Sequence, residues 1–279
     1  MRANPHVRPV KPARSRQYTD SAMIELGHVC EIVRYPVKSM AGTPTESAVL
    51  GWHGLEGDRR FALRRLGDES GFPWLTASRL PDLVLYHPVG LDDRAGEPLP
   101  THVRTPAGAH VELGSEELEA ELAERFGGGL ELMKLKHGIF DEAVLSVISL
   151  ATIAGIGREI GLDLDRRRFR ANIFVKTERT EPFLEDGWVG GTLAFGDREP
   201  QPAVSVTLCD QRCTMVNIDP ETGAQDPRVM KAVVRLNQNN AGVYATVVRS
   251  GTIRVGDRVS LVPGALAGHN DRPEDSIRR

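Results

Sequence analysis

Cys213 directly follows Arg212, at the end of the run Cys209-Asp210-Gln211-Arg212-Cys213 and shortly before Asp219-Pro220-Glu221-Thr222-Gly223. A thiol beside a guanidinium loses its proton more readily, and the thiolate is both nucleophile and metal ligand. Thiolate ligation suits several transition metals, and one protein thiolate suffices where a cofactor brings further sulfurs. An inert cysteine inside a buried strand is the alternative reading of the same residues. Half of a zinc site formed by Cys209 and Cys213 lacks a partner, because zinc takes four ligands and the sequence has no second pair of this kind.

Three further segments carry the residue types that hold an anion. Lys38-Ser39 follows Tyr35-Pro36-Val37 and precedes the turn Met40-Ala41-Gly42, so an ammonium, a hydroxyl and backbone N–H groups gather at one turn. Gly57-Asp58-Arg59-Arg60 places guanidinium forks after a glycine turn, with Asp58 able to orient Arg59. In Arg166-Arg167-Arg168-Phe169-Arg170-Ala171-Asn172, an extended backbone would put Arg168, Arg170 and Asn172 on one side. Taken singly, each also reads as a solvated surface segment. Together with Cys213 they describe a thiolate ligand beside a cationic pocket, which is what a phosphorylated metal cofactor requires. His53, His87 and His137 are scattered and show no metal-ligand spacing.

The elements that must position these groups are mostly strands. Short apolar runs at Val29–Val33, Ser47–Leu50, Phe61–Leu66, Trp74–Thr76 and Leu83–Tyr86 alternate with turn residues, as in a barrel or sandwich. Later strands are expected at Ala143–Ile148, Asn172–Lys176, Val204–Leu208, Met215–Ile218, Val243–Val248 and Arg258–Val262. Three helices are expected among them. Ser115 caps a helix that ends at Gly127, Ser149 caps Leu150–Ile160 before Gly161, and Asp226-Pro227 opens a third. The long connection from Glu178 to Gly191 is expected to pack Phe183 and Trp188. The fold class is therefore mainly β with covering helices, α+β.

With 279 residues, 40% of them hydrophobic and a net charge of −3, the chain has enough material for one large or two modest domains. The charge argues against general nucleic-acid binding. No apolar run approaches a membrane span, and the odd cysteine count (Cys30, Cys209, Cys213) fits a reducing, cytoplasmic setting. Residues 1–26 and 264–279 read as flexible tails, with a targeting peptide as the alternative for the first.

In this order, the segments resemble the MOSC superfamily, named for the C-terminal domain of molybdenum cofactor sulfurase. Tyr35-Pro36-Val37-Lys38-Ser39, Gly54-Leu55-Glu56-Gly57-Asp58-Arg59 and Leu75-Thr76-Ala77-Ser78-Arg79-Leu80-Pro81 are similar to its companion, the MOSC N-terminal β-barrel domain. Arg168-Phe169-Arg170-Ala171-Asn172-Ile173, Glu185-Asp186-Gly187-Trp188, Arg212-Cys213 and Asp219-Pro220-Glu221-Thr222-Gly223 are similar to the MOSC domain itself. Each is weak alone; seven in the family's order are specific. The resemblance implies an N-terminal β-barrel-like domain over 27–135 and a MOSC β-barrel domain over 136–263. It also implies a bound molybdenum cofactor, a molybdopterin dithiolene ending in a phosphate. By matching position, Cys213 becomes the metal ligand and the catalytic residue, with Lys38, Ser39, Arg59, Thr76, Arg170, Asn172 and Arg212 around pterin and phosphate. The family often has one residue fewer before its Arg-Cys pair, so Cys209 receives no role.

Relatives with both domains reduce N-hydroxylated compounds such as amidoximes. The implied reaction is a two-electron N–O reduction in which oxygen passes to molybdenum, with electrons from a separate ferredoxin- or flavin-type donor. That donor is expected to be separate because the sequence lacks the cysteine cluster of a fused ferredoxin-like domain. The proton donor is left open between Asp210 and Asp58. The alternative function is a non-catalytic cofactor or sulfur carrier using a Cys213 persulfide. No membrane and no nucleic acid is expected as a partner.

Overall fold

Alternation decides where the main core sits. Leu145 and Val147, Ile173 and Val175, Leu193 and Phe195, Val204 and Val206, Val243 and Ala245, and Val259 and Leu261 are buried pairs two residues apart. That is the period of strands with one face turned inward. The computed structural model describes residues 23–92, 98–140 and 142–264. The expected tails lie outside these residues except at their inner ends, where Ile24–Leu26 already belong to a strand.

Seven strands close a ring. Around it run β1 (Ile24–Arg34), β11 (Ile173–Thr177), β10 (Leu145–Ser149), β14 (Asn240–Arg249), β13 (Ala203–Gln211), β12 (Thr192–Phe195) and β16 (Arg258–Val262), which returns to β1. β2 (Thr43–Thr45) adds to β1. Within the ring, only β10 and β11 pair in parallel, Val147 opposite Ile173. A parallel pair needs a crossover, and α2 (Leu150–Ile160) supplies it. The inward side chains fill the barrel, with Trp188 among them. Burying each large one is worth roughly 1.5–3 kcal/mol. The outward Ile148 and Phe174 instead meet α2 and α3 (Pro227–Asn237), through Ile153, Ile156, Val229 and Val233.

The remaining strands form small sheets. β3 (Ser47–Gly51) lies between β4 (Gly54–Leu55) and β15 (Gly251–Arg254), while β5 (Phe61–Arg65) pairs with β9 (Leu130–Lys134). β6 (His87–Asp92), β7 (Leu99–Arg104) and β8 (His110–Glu112) make a third sheet, near α1 (Glu116–Phe126). Leu63, Leu75, Leu83, Tyr86, Val103, Leu118 and Leu122 form their core, which Ile218 also enters. Two elements cross the boundary expected at 135 and 136: β1 closes the barrel of the later half, and β15 joins the sheet of β3.

All three helices lie where the capping residues put them. Ser115 accepts from Leu118 N at 3.3 Å, Ser149 from Thr152 N at 3.1 Å and Asp226 from Arg228 N at 3.0 Å. Gly127 and Gly161 end α1 and α2 in the left-handed region. Three expected strands are not strands. Pro81–Leu85 and Thr214–Asn217 are 3-10 turns, and Trp74 makes a single bridge to Arg64. Short apolar runs carry too little period to separate the two states. No helix among the described residues is long and apolar enough to cross a membrane.

Candidate functional site

A cavity of about 710 Å³ opens where the loops of the N-terminal half face the barrel. Lys38, Ser39, Arg59 and Thr76 line it from the first half; Arg170, Arg212 and Cys213 line it from the second. Among the expected site residues only Asn172 is off its wall.

Strain marks three of these positions. Ser39, Arg59 and Arg170 have φ of 69°, 50° and 51°, in the left-handed region that side chains disfavour. Such residues persist only where surrounding contacts hold them, and they gather at functional sites. Here the contacts are visible. The strand bridge Val37–Phe61 and the Lys38 N to Phe61 O bond (2.8 Å) fix the Lys38-Ser39 turn. Arg59 N donates to Tyr35 O at 2.7 Å, and Arg170 N closes a turn onto Arg167 O at 3.2 Å.

The guanidinium groups are held as firmly. Arg170 donates to Met40 O at 2.8 Å and lies 4.3 Å over the Tyr35 ring. Arg59 pairs with the buried Asp58 and reaches Asn172 Oδ1 and Arg170 O, both at 3.3 Å. Asp58 also accepts from Tyr35 N at 2.6 Å. Burial pushes the Tyr35 hydroxyl up to about 12, so this ring stays neutral between two cations. Lys38 Nζ sits 5.5 Å from the Phe72 ring. Asn172 is buried behind this wall. It donates to Val33 O at 3.1 Å and accepts from Ser146 N at 3.2 Å, tying β1 to β10 and steadying Arg59 from the rear.

The arginine run differs from its expected extended form. Asp165 accepts from Arg167 N at 2.8 Å and starts a 3-10 turn over Arg166–Phe169, so no strand alternation sorts its side chains. Phe169 goes into the core. Arg168 turns to the following loop, donating to Asn217 O at 2.8 Å and to Asp219 at 2.7 Å. Asp219 in turn accepts from the backbone N–H groups of Glu221 and Thr222, both at 3.0 Å. The Asp-Pro-Glu-Thr-Gly segment therefore anchors Arg168 and the turn after Cys213. Asn217 Oδ1 secures the same turn by accepting from Met230 N at 2.9 Å.

Adjacent residues in extended chain face opposite ways, and here the two differ sharply. Cys213 is exposed, with φ −104° and ψ 177°. Arg212 is buried, donating to Phe169 O at 2.6 Å and Ala241 O at 2.7 Å and pairing with Asp210 at 2.8 Å. Its charge serves the wall rather than the neighbouring thiol. A register shift between β13 and β14 makes room for it at Gly242, where φ is 89° and a Cβ would meet Arg212 Nη2 at 3.1 Å and Val147 O at 2.8 Å.

The cavity also has walls that the sequence did not assign to the site: Phe72, Ser146, Asn240 and Tyr244, with Ser78 and Phe169 from within the motif segments. Of the first four, only Ser146 carried a signal, as a polar residue inside the apolar run Leu145–Ile148. Cys209 lines the cavity too; burial and the Asp186 carboxylate push its thiol up. Among the described lining residues, Lys38, Arg59, Arg168, Arg170 and Arg212 face two carboxylates, Asp210 and Glu142. The wall favours an anion. No three His, Cys, Asp or Glu side chains cluster as a metal site among the described residues. The His53 and His137 rings, expected to be scattered, meet with centroids 4.0 Å apart, beside a different and smaller pocket.

Two family models match. The MOSC N-terminal beta barrel domain covers residues 26–113 and the MOSC domain covers 134–260. The YuaD protein from Bacillus subtilis is similar in structure at 15% identity and a TM-score of 0.46, over 86% of this chain and 97% of that one. YiiM from Geobacillus stearothermophilus is similar at 17% identity and a TM-score of 0.33, over 43% of this chain and 54% of that one. No curated protein matches the chain.

Proposed function

This chain belongs to the MOSC family, carrying the MOSC N-terminal barrel domain ahead of the MOSC domain, and from that premise we propose that it binds the molybdenum cofactor and reduces N-hydroxylated compounds. One observation carries the reading. An exposed thiol, Cys213, opens onto the same cavity as Lys38, Arg59 and Arg170. The residues present fit the group: a single thiolate can complete a metal that already holds a dithiolene, and clustered cations match a phosphate.

Cys213 is the protein ligand in this reading. Lys38, Ser39, Arg59 and Arg170 hold the phosphate and pterin, with Thr76 and Ser78 offering hydroxyls from the same wall. Arg212 braces the wall from within it and Asn172 from behind it. The cofactor, when bound, supplies two-electron oxygen-transfer chemistry; the protein orients it and sets its field. Electrons come from a separate ferredoxin- or flavin-type donor. Three free cysteines support a cytoplasmic setting.

The test is metal and pterin analysis of the purified protein, with turnover of a benzamidoxime by an artificial electron donor. Molybdenum and pterin in equal amounts, together with turnover, support the reading. Cys213→Ala should abolish turnover and leave the fold intact, because the side chain is exposed and caps nothing. A sulfur adduct on Cys213 in molybdenum-free protein would favour the carrier function instead.

A further inference from the structure

N–O reduction consumes protons, and the cavity contains one carboxyl placed to supply them. Asp210 is 1% exposed yet lines the cavity, on the strand that leads to Cys213. Ser146 Oγ on β10 donates to it at 2.7 Å, and the Tyr244 hydroxyl on β14 donates as well. Both hydroxyls belong to the same cavity wall. Resting on the reduction set out above, we propose that Asp210 is the acid that protonates the oxygen leaving the substrate.

The balance is simple. A substrate R2N–OH, two electrons from the ferredoxin- or flavin-type donor and two protons become R2NH and water. The N–O bond breaks, one N–H bond and one O–H bond form, and Asp210 supplies the proton of the new O–H bond. The other proton comes from solvent. The carboxylate left behind is reprotonated from solvent by way of the Tyr244 and Ser146 hydroxyls.

Other acids in reach are less suited. The arginines and Lys38 hold the anion in this reading, and Glu142 is exposed to solvent. Cys209 is engaged with Asp186. Asp58 is committed to Tyr35 N and Arg59 and does not line the cavity. Around Asp210, burial pushes the carboxyl up while Arg212, Ser146, Tyr244 and Arg59 pull it down, leaving it above the usual range. A carboxyl raised in this way holds its proton longer than a free one, as an acid that delivers a proton needs.

The experiment compares wild type, Asp210→Asn and Tyr244→Phe, each as cofactor-loaded protein with molybdenum content measured. At equal molybdenum, Asp210→Asn should lose about 100-fold or more in turnover and lose the decline at high pH. Tyr244→Phe removes a hydrogen bond that favours the carboxylate, so that decline should move to higher pH. Independently of cofactor, infrared titration of the unloaded protein should show a buried carboxyl band that Asp210→Asn lacks. A wild-type rate and pH profile in Asp210→Asn overturns the assignment, and so does an infrared difference showing no such band. Loaded wild-type protein that leaves the substrate untouched overturns the N–O reading, and this assignment with it, whatever the band shows.

Discussion

Arg212→Ala should destabilise the protein by about 3–5 kcal/mol, the cost of leaving one member of a buried ion pair alone. The structure sets the terms. Asp210 is 1% exposed and Arg212 9%, so water cannot replace the lost partner without opening the wall. The substitution also strips the carbonyls of Phe169 and Ala241 of donors at 2.6 and 2.7 Å. Each orphaned carbonyl costs on the order of 1–3 kcal/mol, partly overlapping the first figure. The sign with pH follows from the same geometry. Burial already raises the Asp210 carboxyl, and without Arg212 it rises further above its unfolded value. Such a group contributes stability below its unfolded pKa and loses it as pH rises through the folded one. The penalty should therefore be smaller in acid, where only the orphaned carbonyls contribute, and larger at neutral pH. Urea unfolding at both conditions measures it, and adding Asp210→Asn to Arg212→Ala should restore part of the loss. A cost below about 1 kcal/mol, equal at both pH values, would rank the pair with surface ion pairs and refute the clamp.

Gly242→Ala should cost roughly 1–3 kcal/mol, because the new Cβ lies 2.8 Å from Val147 O at a φ of 89°; urea midpoints check it. Glu185 is fully buried, and burial holds its carboxyl above the usual range. The native state thus binds the extra proton from about pH 4.3 upward, and its stability contribution disappears as pH rises through the folded value. Glu185→Gln should match wild type in acid and exceed it at higher pH, and parallel pH slopes in unfolding would contradict this. Arg170→Ala removes a charge-assisted contact and should lower retained pterin more than it lowers the melting temperature; unchanged pterin content would remove Arg170 from the anion site.

Features that depend on neighbours in sequence were legible without a structure. Ser115 with Gly127, Ser149 with Gly161 and Asp226 with Pro227 bound three helices because a cap acts on backbone groups two or three residues away. The motif segments likewise pointed to Lys38, Arg59, Arg170 and Cys213, since residue type alone decides which groups can hold an anion or a soft metal. Segments whose state depends on distant partners were not legible. Met215–Ile218 reads as a strand but turns, because Val216 and Ile218 enter two different cores. Arg166–Phe169 turns because Asp165 captures Arg167 N before any strand can form.

Composition, caps and motif chemistry therefore determined the three helices, the mainly β class and the candidate side chains. Tertiary structure alone decided which wall each side chain serves. Strand β1 closing the ring against β11 and β16 brings the Lys38 turn to the Arg170 turn, across more than a hundred residues of chain. Arg212 faces inward to three partners on β13, β14 and the Phe169 turn, while Cys213 faces out. No local pattern encodes such a choice, because the carbonyls and carboxylate that make it favourable exist as a group only once the barrel has closed.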